Sequence, residues 1–227
     1  MATLVREYPG FLFASELDER GLEQPEKRKT TLQLMGESLA LADVLCNQHR
    51  VKKGSKVLLM FLPGVDFLVG FFGCLIAGVI PVPMQPPYKL AGDLPVVTGL
   101  VEVTGATHAL SHEPYRLISA AISLRHKIAS FFMGASWPAL EWVYVDSTAT
   151  LLDYDQDTIA ERLKKYNDQI CGSDIAYLQL TSGSTSAPKC VQISHKQFLL
   201  CALAQATLLR DPTLPTFLEE RCDFPEY

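Results

Sequence analysis

Apolar residues recur along this chain in two alternating rhythms. Leu32, Leu34, Met35, Leu39, Leu41, Ala42, Val44 and Leu45 fall on one face at helical spacing and predict an amphipathic helix from Leu32 to Cys46. Val57–Phe61 is then a continuous apolar run, as expected of a parallel strand buried on both faces. A helix over Val65–Ala77 follows, and a short strand over Val79–Pro83. The stretch from Phe67 to Ile80 carries no charge, but Asp66 and Pro81 bracket it and it is too short to cross a hydrocarbon layer of ~30 Å. A buried helix is the better expectation, and Gly70, Gly73, Ala77 and Gly78 lack the bulk that would hold it away from a sheet.

The rhythm then repeats. Gly92–Thr104 predicts a weaker helix, burdened by β-branched residues and glycine. Thr107–Leu110 predicts a strand, Glu113–Lys127 a helix opened by Pro114, and Trp142–Val145 another strand. Asp157–Tyr166 predicts a helix, Ile175–Leu180 and Val191–Ile193 strands, and Ser194 to Leu209 a last helix with Ser194 as its N-cap. Strands that alternate with helices indicate an α/β domain, a mainly parallel sheet with flanking helices. Residues 1–30 are polar and turn-rich and read as an N-terminal extension with one short helix.

Composition narrows the function classes. The chain has 227 residues, 48% of them hydrophobic, enough for one large domain or a domain with an extension. Its net charge is −5 and Lys and Arg are not clustered, which argues against a nucleic-acid partner. The N-terminus lacks the layout of a signal peptide, and with no membrane span expected the chain reads as cytoplasmic. Of six cysteines, none in Cys-x-x-Cys spacing, four lie in apolar surroundings and read as buried thiols in a reducing compartment. Cysteine and histidine show no metal-ligand spacing. His108, His112 and His126 are expected to face solvent, and His195, at a helix start with no carboxylate or nucleophile nearby in sequence, to be structural.

The chemistry is concentrated in Leu178-Gln179-Leu180-Thr181-Ser182-Gly183-Ser184-Thr185-Ser186-Ala187-Pro188-Lys189. An apolar strand enters this stretch and another leaves it. The hydroxyls of Thr181, Ser182, Ser184 and Thr185 can donate hydrogen bonds, Gly183 lets the backbone turn closely, and Lys189 adds a compact positive charge. Such a loop suits a polyanion. It is not a Walker A motif, whose G-x-x-x-x-G-K-[ST] pattern does not occur. A plain Ser/Thr/Gly linker is the other reading of the same composition.

The pattern T-S-G-S-T-x-x-P-K, followed by a short strand and Ser194-His195, resembles the phosphate-loop signature of the adenylate-forming superfamily. A second block is similar to the fatty acyl-AMP ligases. It contains Pro63-Gly64-Val65-Asp66-Phe67, Gly73-Cys74-Leu75-Ile76-Ala77-Gly78, Pro81-Val82-Pro83 and Pro86-Pro87. Ser186 and Cys190 stand where that family usually has glycine. The resemblance implies a partial N-terminal subdomain of the adenylate-forming fold. Residues 31–209 would be a partial AMP-binding (adenylation) domain, with 1–30 an extension and 210–227 a divergent tail.

It also implies a reaction: a fatty acid and ATP give acyl-AMP and pyrophosphate, and the acyl group passes to a carrier thiol. Thr181, Ser182, Gly183, Ser184, Thr185 and Lys189 would bind the ATP phosphates, with Mg²⁺ as the accompanying ion. Fatty acid and ATP would be the substrates and an acyl carrier protein a partner. No catalytic residue is assigned within the chain, because the family's adenine, ribose and acyl motifs and its catalytic lysine lie downstream. The expectation is a fragment of a ligase of lipid metabolism, inactive in isolation. The alternative is a non-catalytic regulatory or protein-interaction module that keeps the adenylating fold.

Overall fold

Strand β3 (Lys56–Met60) shows how the chain is layered. Its side chains alternate between the two faces of a parallel sheet. Val57 and Leu59 point into one apolar core with Leu34, Leu39, Leu75 and Ile76, while Leu58 and Met60 point into a second with Val82, Val97 and Leu100. The computed structural model describes residues 1–87, 90–113, 115–117, 120, 138–145, 155–181 and 189–209. Most of the helix expected over Glu113–Lys127, together with Phe131–Met133, Trp137 and residues 210–227, lies outside the described residues.

Around β3 the sheet is parallel throughout. It also contains β4 (Ile80–Met84), β5 (His108–His112) and β6 (Glu141–Val145), in the spatial order β4-β3-β5-β6. The first core is closed by helix α2 (Thr31–Asp43), helix α3 (Val65–Ala77) and helix α5 (Gln156–Asn167). Helix α4 (Leu90–Thr104) covers the opposite face. The α/β expectation therefore holds, and the helix over Val65–Ala77 is found with the expected limits.

Local chemistry explains the boundaries. Thr30 and Gln33 form a capping box at the start of α2: Gln33 N–H donates to Thr30 Oγ1, and Thr30 N–H donates to Gln33 Oε1. Helix α2 runs on into a π-helical turn over Val44–Gln48 that stops at His49. Gly78 ends α3 in the left-handed conformation, at φ 65°, where its N–H bonds Cys74 and Leu75 carbonyls. The small residues of α3 do permit close packing. A Cβ on Gly70 would lie 2.9 Å from Phe61, and one on Gly73 would lie 2.7 Å from Leu41 of α2.

The N-terminal residues are fastened to this frame. Helix α1 (Ala2–Glu7) packs on α5 and α2, and its Val5 is fully buried. Strands β1 (Leu12–Ala14) and β2 (Lys29–Thr30) pair antiparallel. Glu16 then caps α3, its carboxylate accepting the Val65 N–H at 2.8 Å. A Cβ on Gly64 would sit 2.6 Å from Glu16 Oε1 and push the capping carboxylate aside.

Candidate functional site

The loop identified from its residue types is carried by a hairpin. Strand β7 (Ile175–Thr181) and strand β8 (Lys189–Ser194) pair antiparallel, with Thr181 opposite Lys189 and Ile175 opposite Ser194. They form a separate two-stranded sheet, and β7 lies alongside β4. The two strands belong neither to the parallel sheet nor to a crossover. Seven residues between strands are enough for a hairpin, whereas a parallel connection needs roughly a dozen or more.

The base of the hairpin is anchored in the cores. Ala176 and Leu178 are buried, and Tyr177 meets Phe71 of α3 and Phe198 of helix α6 (His195–Leu209) with ring centroids 5.6 and 5.8 Å apart. Ser194 is the N-cap of α6 as expected: its Oγ accepts the Gln197 N–H at 3.2 Å, and its own N–H donates to Gln197 Oε1 at 2.9 Å. The His195 N–H donates to the Asp174 carbonyl at 3.0 Å, and burial holds the imidazole below its usual pKa. Six strand positions separate His195 from Lys189, about 20 Å of extended chain. His195 thus belongs to the base of the hairpin and not to its loop.

The mouth of the hairpin is exposed. Thr181 and Lys189 face each other there, and Thr181 Oγ1 donates to the Lys189 carbonyl at 3.5 Å. Ser182, Gly183, Ser184 and Thr185 lie outside the described residues, as does Ser186. Lys189 has no carboxylate partner among the described residues. It lines an open cleft of about 700 Å³ together with Lys56, Thr104 and Gln192, and no acidic side chain is among the lining residues. Two lysine ammoniums in a cleft without carboxylates among its lining residues attract anions and can hold them through charge-assisted hydrogen bonds. Cys190 sits in β8 opposite Leu180 and packs toward the second core, where burial raises the pKa of its thiol.

The remaining cysteines and histidines follow expectation only in part. Cys74 is fully buried and its thiol is pushed up to about 12, but Cys171 and Cys201 are exposed. His112 packs between the rings of Phe61 and Tyr115 instead of facing solvent. His108 is also mostly buried, in a cluster with His49 and Glu141. Local spacing concealed that cluster, because its members come from three separate elements. His126 lies outside the described residues.

Comparison with known proteins places this geometry. A model of the AMP-binding enzyme family matches residues 14–218. The medium-chain-fatty-acid–[acyl-carrier-protein] ligase JamA of Moorena producens is 29% identical over 155 residues, which is 67% of this chain and 23% of that protein. Human Disco-interacting protein 2 homolog B is 29% identical over 167 residues, 72% of this chain and 10% of that protein. Among solved structures, the fatty acyl-adenylate ligase from L. pneumophila in complex with acyl adenylate and pyrophosphate superposes with a TM-score of 0.64 at 26% identity. That match covers 91% of this chain and 32% of the ligase. The chain therefore spans about a quarter or less of these curated relatives and about a third of this solved neighbour.

Proposed function

The chain belongs to the AMP-binding enzyme family, and we propose that its 181–189 loop grips the phosphates of ATP in a fatty acid adenylating site. Enzymes of this family use ATP. One observation carries the reading: Lys189, paired in register with Thr181 at an exposed hairpin mouth, lines a cleft without acidic side chains. Thr181, Ser182, Gly183, Ser184 and Thr185 supply hydrogen bonds to phosphate oxygens, and Lys189 offsets their charge. Mg²⁺ arrives with the nucleotide, its ligands phosphate oxygens and water. Thr181 is the one described loop residue with a neutral oxygen-bearing side chain to offer it.

In the reaction proposed for the whole site, a fatty acid carboxylate oxygen attacks the α-phosphorus. The bond to the β-phosphate oxygen breaks and pyrophosphate leaves. The thiol of a carrier protein then takes the acyl group and AMP leaves. This chain's part is to hold the triphosphate and to stabilise the charge that gathers on departing pyrophosphate. Contacts to adenine and to the acyl chain come from elsewhere in an adenylating domain, so the chain by itself forms no acyl-adenylate. The test is fatty-acid-dependent exchange of labelled pyrophosphate into ATP by a complete adenylating domain in which this chain is the front part and supplies the phosphate loop. Lys189→Ala should cut the exchange by about tenfold or more, the loss of one charge-assisted hydrogen bond. Unchanged exchange would remove Lys189 from the site.

A second reading has its own support. The Disco-interacting protein 2 homologs are named for an interaction, and the loop carries Ser186 and Cys190 in place of glycine. On this reading the chain is a binding module that keeps the adenylating fold without turnover. A stable protein partner captured equally well with and without ATP would favour it, and tight Mg²⁺-dependent ATP binding would count against it.

A further inference from the structure

We propose that His49, His108 and Glu141 form a binding site for a zinc-type transition-metal dication at the amino-terminal edge of the parallel sheet. His108 opens β5 and Glu141 opens β6, and the two are register partners. His49 closes the π-helical turn that follows α2. The ligand atoms of the three side chains all lie within 4.8 Å of one another.

Glu141 is the hinge of the cluster. One carboxylate oxygen bonds His49 Nδ1, and the other lies 3.5 Å from His108 Nε2. The two imidazole rings stand nearly perpendicular, at 87° with centroids 6.3 Å apart, so the nitrogens converge without the rings stacking. An ordinary His–Glu ion pair accounts for His49, whereas His108 Nε2 stands 3.5 Å from Glu141 without making a hydrogen bond. His108 Nε2 is buried and has no hydrogen-bond partner, while its Nδ1 is bonded to Thr107 Oγ1 at 2.8 Å. A hydrogen bond on one ring nitrogen that leaves the other facing a carboxylate is how a ligating histidine is oriented.

The donor set selects the ion. Two imidazole nitrogens with one carboxylate oxygen suit zinc and its neighbours, whereas Mg²⁺ and Ca²⁺ take oxygen. A tetrahedral zinc ion with bonds of about 2.0–2.1 Å holds its ligand atoms roughly 3.3 Å apart. The Glu141 oxygen 3.5 Å from His108 Nε2 is already near that spacing, and the His49 nitrogen has to close on both. The Glu141 side chain is 55% exposed, which leaves room to adjust and lets water complete the fourth position. An ion held between two strand starts and the turn after α2 is structural. It ties the edge strand β6 to the turn after α2, across 92 residues of sequence.

The test is calorimetric titration of the metal-free chain with zinc sulfate, with cobalt(II) as a spectroscopic probe. One ion should bind per chain, and cobalt should give the visible absorption of a tetrahedral nitrogen–oxygen site. Thermal unfolding should shift up by roughly 5–10 °C at free zinc a hundredfold above its dissociation constant. Glu141→Gln and His108→Asn keep polar groups at the strand starts, and equal far-UV dichroism would show that both variants fold. Each should weaken zinc binding at least about tenfold. Zinc binding unchanged in both variants would overturn the site. So would sulfur-to-cobalt charge-transfer bands, which would place the ion on the cysteines, or an equal thermal shift with Mg²⁺.

Discussion

The four-stranded sheet and the β7–β8 hairpin lie side by side and follow opposite rules. In β3 every residue after Lys56 is buried, and in β8 none is. The sheet is covered on both faces, so its residue types are set by volume and apolarity. The hairpin is buried only at its base, through Ala176, Leu178 and the ring cluster of Tyr177, Phe71 and Phe198. Thr181 and Lys189 at its mouth are exposed. A rigid base that presents polar groups at an open end is what a binding loop requires. Stability and chemistry are thus divided between the two regions. Substitutions in the sheet layers should destabilise the protein, and substitutions at the hairpin mouth should leave its stability nearly unchanged.

The largest expected effect tests the buried side of this division. Lys29 and Glu37 form an ion pair of 2.6 Å with side chains 11% and 5% exposed. Burial outweighs Lys29 and holds the Glu37 carboxyl above the usual range. Glu37→Ala leaves a buried ammonium unpaired and should cost about 3–5 kcal/mol in urea unfolding. The double variant Lys29→Met/Glu37→Met should lose much less, and an equal loss would show that the pair itself carries the stability.

Next comes Leu59→Ala, at a fully buried position of β3, expected to cost about 2–5 kcal/mol. Its counterpart on the hairpin is Val191→Ala, at a position 46% exposed, which should stay within about 0.5 kcal/mol. Comparable losses at the two positions would break the comparison. Gly73→Ala should fall between them, at about 1–3 kcal/mol, because the added methyl meets Leu41 at 2.7 Å and α2 has to shift.

The smallest effect concerns pH. Asp174, at the base of the hairpin, is held below the usual carboxylate range by the Lys53 ammonium and by the Cys171 N–H. A depressed carboxyl contributes stability above its unfolded pKa, about 3.9, and loses it as pH falls through the folded value. Asp174→Asn should therefore be slightly less stable than the parent at neutral pH, and the two curves should meet in acid. Curves that separate further in acid would reverse the assignment.

The two regions also differ in how far they can be read from residues alone. The limits of α3 are legible because Pro63-Gly64 and Gly78 bracket one unbroken apolar run. The limits of β8 are not: apolar content points to Val191–Ile193, whereas pairing with β7 extends the strand to Lys189–Ser194. Residue types mark the 181–189 loop as a candidate for holding an anion, because hydroxyls, glycine and lysine lie between two strands, while a plain linker has the same composition. Its antiparallel setting follows from chain length instead, since seven residues cannot make a crossover. Contacts between distant stretches leave no local signal. Glu16 capping α3 and Glu141 joining two histidines emerge only once the strands are in register.

The central claim is that the hairpin mouth binds the phosphates of ATP, and calorimetric titration of MgATP into the 227-residue chain and its Lys189→Ala variant tests it most directly. The account predicts binding by the parent chain and a loss of about tenfold or more in the variant, with thermal stability unchanged. Equal MgATP affinity in the two proteins would contradict it.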